Sequence, residues 1–86
     1  MDIGVEISLY PLAADFVPAV REFLERLNRD ARLRVVTNSM STQVFGGYEE
    51  VMEALRRELR TSFETLGDRS HKAVFVLKVL GPLAPA

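Results

Sequence analysis

The chain has 86 residues, of which 48% are hydrophobic, and it contains no cysteine. This length accommodates one hydrophobic core, so we expect a single domain spanning residues 1–86. Basic and acidic side chains are interspersed and sum to a net charge of −1, which argues against binding to nucleic acid or to an anionic membrane surface. Disulfides and thiolate metal sites are excluded by the composition.

The start of the chain and its hydropathy bear on location. The first ten residues, MDIGVEISLY, carry an acidic side chain where a secretory signal would carry basic ones. No apolar run approaches the ~18 residues of a membrane span. We therefore expect a cytoplasmic protein without membrane insertion.

The first half of the chain predicts a strand followed by a helix. Apolar residues alternate with others from Ile3 to Tyr10, which is typical of a strand with one buried face, and Pro11 is expected to end it. Asp15 is a candidate N-cap for the next helix. Charged pairs such as Glu22 with Arg26 are expected on its exposed side. The apolar stripe of this helix comprises Phe16, Val20, Phe23, Leu24 and Leu27.

Two short strands and a second helix come next. Residues 32–38 and 41–45 are rich in β-branched side chains and predict a hairpin with a turn at residues 38–40. Gly46 and Gly47 are expected to break the strand before a helix over residues 48–66. Its charges, such as Glu53 with Arg57, are interpreted as solvated. Its inward residues are expected to be Val51, Leu55, Leu59, Phe63 and Leu66.

The last predicted element is a strand from His71 to Leu80, followed by a short tail over residues 81–86. The element order βαββαβ, joined by right-handed crossovers, gives an α+β fold of ferredoxin-like type. We expect a four-stranded antiparallel sheet of order 4-1-3-2 with both helices on one face. The other face of the sheet is left for solvent, a ligand or another subunit.

Polar residues are expected to meet at one edge of this sheet. The topology brings Tyr10, the turn at residues 38–41 and His71 toward each other. Ser41 and Thr42 begin a central strand, where their hydrogen-bonding groups need partners. They would either receive a polar heteroaromatic ligand or close the hairpin through bonds to its backbone. Glu6 is a candidate counter-charge for a cationic ligand, or a partner of Lys78.

The last strand is apolar on both sides, which favours self-association. Phe75, Leu77 and Val79 are expected to face the helices, leaving Val74, Val76 and Leu80 on the open face. Exposed apolar patches of this kind mark interfaces. We therefore expect a homodimer or a larger assembly.

No motif in the sequence indicates catalysis. His71 is the only histidine and has neither a nucleophile pattern nor a second imidazole near it, which argues against a catalytic triad or a metal site. No pair of carboxylates is spaced for acid–base chemistry. We expect a protein that is not an enzyme and uses no cofactor.

Two segments, EISLYPL (residues 6–12) and VVTNSMSTQVFG (residues 35–46), resemble the YkoF-like thiamine-binding protein family. The similarity continues through GYEEVMEAL and KAVFVLKVLGP. It implies a single-domain member that forms a homodimer or homotetramer and binds thiamine or its hydroxymethylpyrimidine moiety without a known reaction. Such a protein would act as a carrier, a sensor or a salvage component.

The resemblance also implies which residues contact the ligand. Polar groups would satisfy the aminopyrimidine edge, and Met40 or Tyr10 would supply apolar contact. Phe45 stands where some single-domain relatives carry an acidic residue. The implied ligand-binding residues are Ser8, Tyr10, Asn38, Ser39, Met40, Ser41 and Thr42.

Other functions fit the same topology. A regulatory module of the ACT-like kind also binds small effectors, and a purely oligomeric structural module needs no ligand. An acylphosphatase would need an arginine-containing phosphate loop after the first strand, where this chain has Pro11, Leu12, Ala13 and Ala14.

Overall fold

A computed structural model describes residues 1–84 of the chain. The six elements are β1 Asp2–Leu12, α1 Val17–Arg29, β2 Arg34–Thr37, β3 Thr42–Gly47, α2 Tyr48–Gly67 and β4 Lys72–Leu83. All strand pairs are antiparallel and their order is β2-β3-β1-β4. The predicted α+β fold and sheet order are thus confirmed.

Both helices cover the same face of the sheet. The alternation of β1 turns its odd-numbered apolar residues toward α1 and α2. Phe23 is buried and its ring meets Phe75 of β4 edge-on, with 5.6 Å between ring centroids. The buried core cluster is Ile3, Val5, Ile7, Leu9, Phe23, Leu27, Val44, Val51 and Leu55.

Two strands run further than the sequence predicts. Pro11 does not end β1 but pairs with Ala73. At this point β1 has β4 as its neighbour on one side alone, so a residue without an N–H is tolerated at the free side. Gly81–Leu83 belong to β4 rather than to a tail, because the strand continues past a bulge to pair Leu83 with Asp2. Residues 85–86 of the predicted tail lie outside the described residues.

The helix boundaries also correct two expectations. Asp15 does not cap α1, whose N-cap is Phe16 without a side-chain hydrogen bond. Pro18 in the first turn instead favours the helical start through its fixed φ. Phe16 consequently lies at the surface and not in the core. Gly46 and Gly47 extend β3 and do not interrupt it, pairing with Ile3 and Asp2.

Two residues expected in the interior are largely exposed. Phe63 of α2 lies toward the surface, although its ring packs edge-on against Phe75 at 5.5 Å between centroids. Val79 pairs with buried Val5 and so shares the helix-facing side of the sheet, yet it is exposed. The helices do not extend over this part of the edge strand.

A buried carboxylate joins the two helices. Glu58 of α2 is fully buried and accepts hydrogen bonds from Arg26 Nε at 2.5 Å and Arg57 Nε at 3.1 Å. Arg57 also donates to Asp30 at 3.4 Å. The interpretation of the helix charges as merely solvated is therefore wrong for Arg57, which contacts Glu58 and Asp30, and Arg26 joins α1 to α2 through Glu58.

Removing Arg26 tests this bridge. We expect Arg26→Met to lower the free energy of unfolding by about 2–3 kcal/mol, less than the ~3–5 kcal/mol typical of a broken buried pair, because Arg57 remains. Urea denaturation measures the change. As a matched control, Arg60→Met breaks an exposed pair with Glu64 and should leave stability nearly unchanged. Equal effects of the two substitutions would contradict the assigned role of Glu58.

Candidate functional site

The sheet has a gap where β1 and β3 separate. Their pairing ends at Ile7 and Thr42, whereas β1 continues beside β4 to Leu12. Backbone groups of residues 8–10 that point away from β4 therefore have no neighbouring strand. The gap opens into a cleft of about 240 Å³, which we call the hairpin cleft. Its lining comprises residues 7–10 of β1, Val20, Phe23 and Leu24 of α1, and residues 37–42 of the hairpin.

The structure brings all seven residues implied by the resemblance into the lining of this cleft. They are Ser8, Tyr10, Asn38, Ser39, Met40, Ser41 and Thr42. His71 was expected to converge with them but is not part of the lining. Its backbone N–H donates to the carbonyl of Leu66 at 2.9 Å, just after α2.

Sequence reasoning missed the floor of the cleft. Val20, Phe23 and Leu24 belong to the apolar stripe of α1, which the spacing identified, but periodicity does not reveal which turn of a helix lies beneath a gap in the sheet. Thr37 of the lining was also missed.

Phe45 is not part of the cleft lining. It lies on the open face, where its ring packs over Gly4 and under the guanidinium of Arg34 at 4.2 Å.

Asn38 organises the turn of the hairpin. Its Oδ1 accepts hydrogen bonds from the backbone N–H groups of Met40 at 2.8 Å and Ser41 at 3.0 Å. Its own N–H donates to the carbonyl of Ser41 at 3.1 Å. Two donors at one atom identify that atom as the amide oxygen. Within residues 1–84, Nδ2 of Asn38 has no acceptor and retains its two donor hydrogens.

Ser41 and Thr42 point to different partners. Thr42 is buried, pairs with Ile7 on the helix-facing side, and its Oγ1 lies 3.2 Å from Oγ1 of Thr37. Ser41 Oγ donates to Glu6 Oε2 at 3.1 Å. Among residues 1–84, neither side chain closes the hairpin through a bond to its backbone, so that expectation is wrong: Thr42 contacts the side chain of Thr37 and Ser41 contacts that of Glu6.

The rim of the cleft is apolar and open. Met40 is 87% exposed and Tyr10 is 55% exposed, although both line the cleft. Apolar side chains that are exposed in the free protein can cover a bound ring without giving up existing packing contacts. The arrangement combines an apolar floor, hydrogen-bonding walls and an apolar rim, which is the usual composition of a small-molecule site.

A larger cleft, of about 420 Å³, lies between the helices. Three of its four arginines, Arg26, Arg32 and Arg57, pair with the carboxylates beside them. The hydrogen bond from Arg32 holds the pKa of the Asp30 carboxyl well below its usual range, despite the opposing effect of burial. Most of the charge in this cleft is therefore paired within it, whereas the hairpin cleft has polar groups with spare hydrogen-bonding capacity.

Among residues 1–84, no three His, Cys, Asp or Glu side chains are grouped so that they would hold a metal ion. In the same part of the chain, neither helix is long and apolar enough to cross a membrane.

The fold and the cleft define a small ferredoxin-like α+β protein with a ligand-sized gap in its sheet. The sequence of residues 2–74 matches the model of the YKOF-related family, and the chain belongs to that family. The resemblance inferred from the two motifs is thereby confirmed. No protein of curated function matches the chain.

Solved structures support the fold. A Thermotoga maritima protein named for a proposed role in thiamine biosynthesis or salvage superposes with a TM-score of 0.78 at 17% identity, covering 92% of this chain and 82% of that one. A hypothetical protein from Methanocaldococcus jannascii has a TM-score of 0.78 at 23% identity, with 99% and 84% covered. A Streptococcus pneumoniae protein reaches 0.84 at 14% identity, with 96% and 89% covered.

Substitution can separate two roles of Asn38, namely accepting the turn N–H groups through Oδ1 and offering free donor hydrogens on Nδ2. We expect Asn38→Ala to destabilise the chain by about 1 kcal/mol, because two turn N–H groups lose their acceptor. Asn38→Asp keeps an oxygen at that position and should retain most of the stability. Urea denaturation of both variants provides the comparison, and equal losses would show that Oδ1 does not hold the turn.

Proposed function

We propose that the protein binds thiamine or its hydroxymethylpyrimidine moiety without catalysing a reaction, as one ligand-binding domain in the cytoplasm. The observation that carries the proposal is the convergence of the seven implied residues on one cleft. Membership of the YKOF-related family and the proposed thiamine role of the Thermotoga maritima neighbour agree with it. A carrier, a sensor and a salvage component all fit this chemistry.

The size of the cleft favours the pyrimidine part of the ligand. At about 240 Å³ the cleft lies below the ~300–1,000 Å³ of sites for drug-sized molecules. It therefore suits a single aromatic ring with its substituents. The ring would lie on Val20, Phe23 and Leu24, with Tyr10 and Met40 at its rim.

The lining supports binding over turnover. The residues of the described chain that line the cleft include no histidine, cysteine, lysine, arginine or carboxylate. General acid–base and nucleophilic catalysis depend on such groups or on their action upon a hydroxyl. The hydroxyl of Ser41 donates to the carboxylate of Glu6, which lies outside the lining, and we assign the lining hydroxyls to hydrogen bonding.

Titration calorimetry with hydroxymethylpyrimidine and thiamine tests the proposal. We expect both to bind, and we expect Asn38→Asp to weaken binding roughly 5- to 150-fold, because an acceptor oxygen replaces the free amide donors. Asn28→Asp makes the same amide-to-carboxylate change on α1 outside the cleft lining, with loss of the hydrogen bond from Asn28 Nδ2 to the Leu24 carbonyl, and should bind nearly as the wild type does. Binding of an amino acid in place of either pyrimidine would favour the ACT-like alternative, and no binding at all would contradict the proposal.

We also propose that the protein is a homodimer or homotetramer that uses β4 and the open face of the sheet. β4 is a twelve-residue edge strand, whereas the opposite edge strand, β2, has four residues. A long unpaired edge strand with apolar side chains is a template for pairing with another chain. A second copy supplies a matching edge, since the same strand of each copy pairs antiparallel about a twofold axis. Exposed apolar side chains on β4 are Val74, Val76, Val79 and Leu80.

Sedimentation velocity at micromolar concentration tests the assembly. We expect the wild type to sediment as a multiple of the 9.7 kDa chain and Val76→Lys to shift it toward monomer. Val17→Lys on α1 is the matched control, since Val17 is 48% exposed and Val76 is 51% exposed. A monomeric wild type would overturn the proposed assembly, and equal dissociation by both variants would move the interface away from β4.

A further inference from the structure

We propose that Glu6 sets the hydrogen-bonding polarity of the hairpin cleft through Ser41, so that the cleft accepts an aminopyrimidine and rejects the corresponding oxopyrimidine. This inference rests on the proposed function and names what would make the site specific. Glu6 itself is not part of the cleft lining. It is a positioning residue that acts through the hydroxyl beside it.

The direction of the bond between Ser41 and Glu6 is determined by chemistry. A serine hydroxyl has one hydrogen to donate and two lone pairs, whereas a carboxylate can only accept. Ser41 Oγ lies 3.1 Å from Glu6 Oε2 and therefore donates its hydrogen to that oxygen. Toward the cleft, Ser41 can then offer only lone pairs. A ligand group that meets this hydroxyl must be a donor.

Asn38 presents the opposite polarity from the same turn. Its oxygen already accepts from the N–H groups of Met40 and Ser41 at 2.8 and 3.0 Å. The hydrogen-bonding capacity left for a ligand is that of the two Nδ2 hydrogens. The hairpin therefore offers a donor from Asn38 and an acceptor from Ser41, and neither can exchange roles while its present partner stays in place.

An aminopyrimidine edge complements this pair. Its exocyclic amino group donates and the adjacent ring nitrogen accepts, the same pattern that amide and hydroxyl side chains read on adenine. Replacing the amino group by an oxo group reverses both positions, because the ring nitrogen then carries a hydrogen and the oxygen accepts. The oxo form would place an acceptor against Ser41 and a donor against Asn38. Each mismatch leaves a polar group of the ligand and one of the protein without a hydrogen bond, so the discrimination is strong.

The sheet holds Glu6 in the position this role requires. The residue lies on the central strand β1, opposite Gln43 of β3 and Lys78 of β4. Lys78 Nζ is 3.8 Å from Oε1, the carboxylate oxygen that Ser41 does not use. The Ser41 bond therefore does not compete with the lysine contact. Because Lys78 already lies beside the carboxylate, a direct counter-charge role for Glu6 is less favoured than positioning.

The test compares the affinities of hydroxymethylpyrimidine and its oxo analogue by titration calorimetry. We expect the wild type to bind the amino form roughly 10- to 100-fold more tightly. In Glu6→Ala the freed hydroxyl of Ser41 can donate to an oxo group, so the preference should fall several-fold, to the part that the Asn38 donor supplies. Ser41→Ala should lose the same part of the preference. Lys78→Met removes the other contact of Glu6 and should retain the preference for the amino form.

A double-variant cycle separates positioning from direct contact. In the Ser41→Ala background, adding Glu6→Ala should not change the remaining preference, because the residue through which Glu6 acts is gone. A further change equal to that in the wild-type background would overturn the inference, as would an unchanged preference in Glu6→Ala. Failure of the wild type to bind either ring would overturn the proposed function and this inference with it, whereas binding without discrimination overturns the inference alone.

Discussion

The separation of β1 from β3 after the pair Ile7 and Thr42 is the constraint on which the site depends. β1 is a central strand up to that pair, and beyond it β1 remains anchored by β4 alone. The β2–β3 turn is thereby held close to β1 without being paired to it. A sheet in which β3 continued beside β1 would use the same backbone groups for its own ladder and leave no room for a ligand.

Helix α1 closes the gap on the helix-facing side of the sheet, so that the gap forms a cleft with a fixed floor. Phe23 packs on the sheet and meets the ring of Phe75 of β4 edge-on, and the bridge from Arg26 to buried Glu58 ties α1 to α2. Since α1 supplies the floor of the hairpin cleft, the position of the floor depends on packing and on a charge pair at some distance from it. The stability of the helix layer and the shape of the cleft are therefore linked.

The sequence predicted the sheet and its faces well, because alternation in β1 and the periodicity of the two helices are strong local signals. It predicted the ends of elements less well. Pro11 and Gly46 are local breakers, yet both lie within strands because the sheet provides a free side for one and pairing for the other. Phe63 fits the apolar stripe of α2 and contacts Phe75 at the edge strand, but it stays largely exposed. In each case tertiary context outweighed local preference.

The amino-acid order alone therefore accounts for the element order and the sheet topology. These follow from side-chain periodicity and from the handedness of crossovers, whereas the seven cleft residues were implied by the family resemblance. Tertiary structure decided which hydrogen bonds those residues make. Ser41 finds Glu6 on a strand 35 positions away, and Arg26 finds Glu58 across the helix pair. Such pairings depend on distances that only the folded chain sets. The hydrogen-bond partners of the cleft residues are therefore visible in the structure and not in the sequence motif.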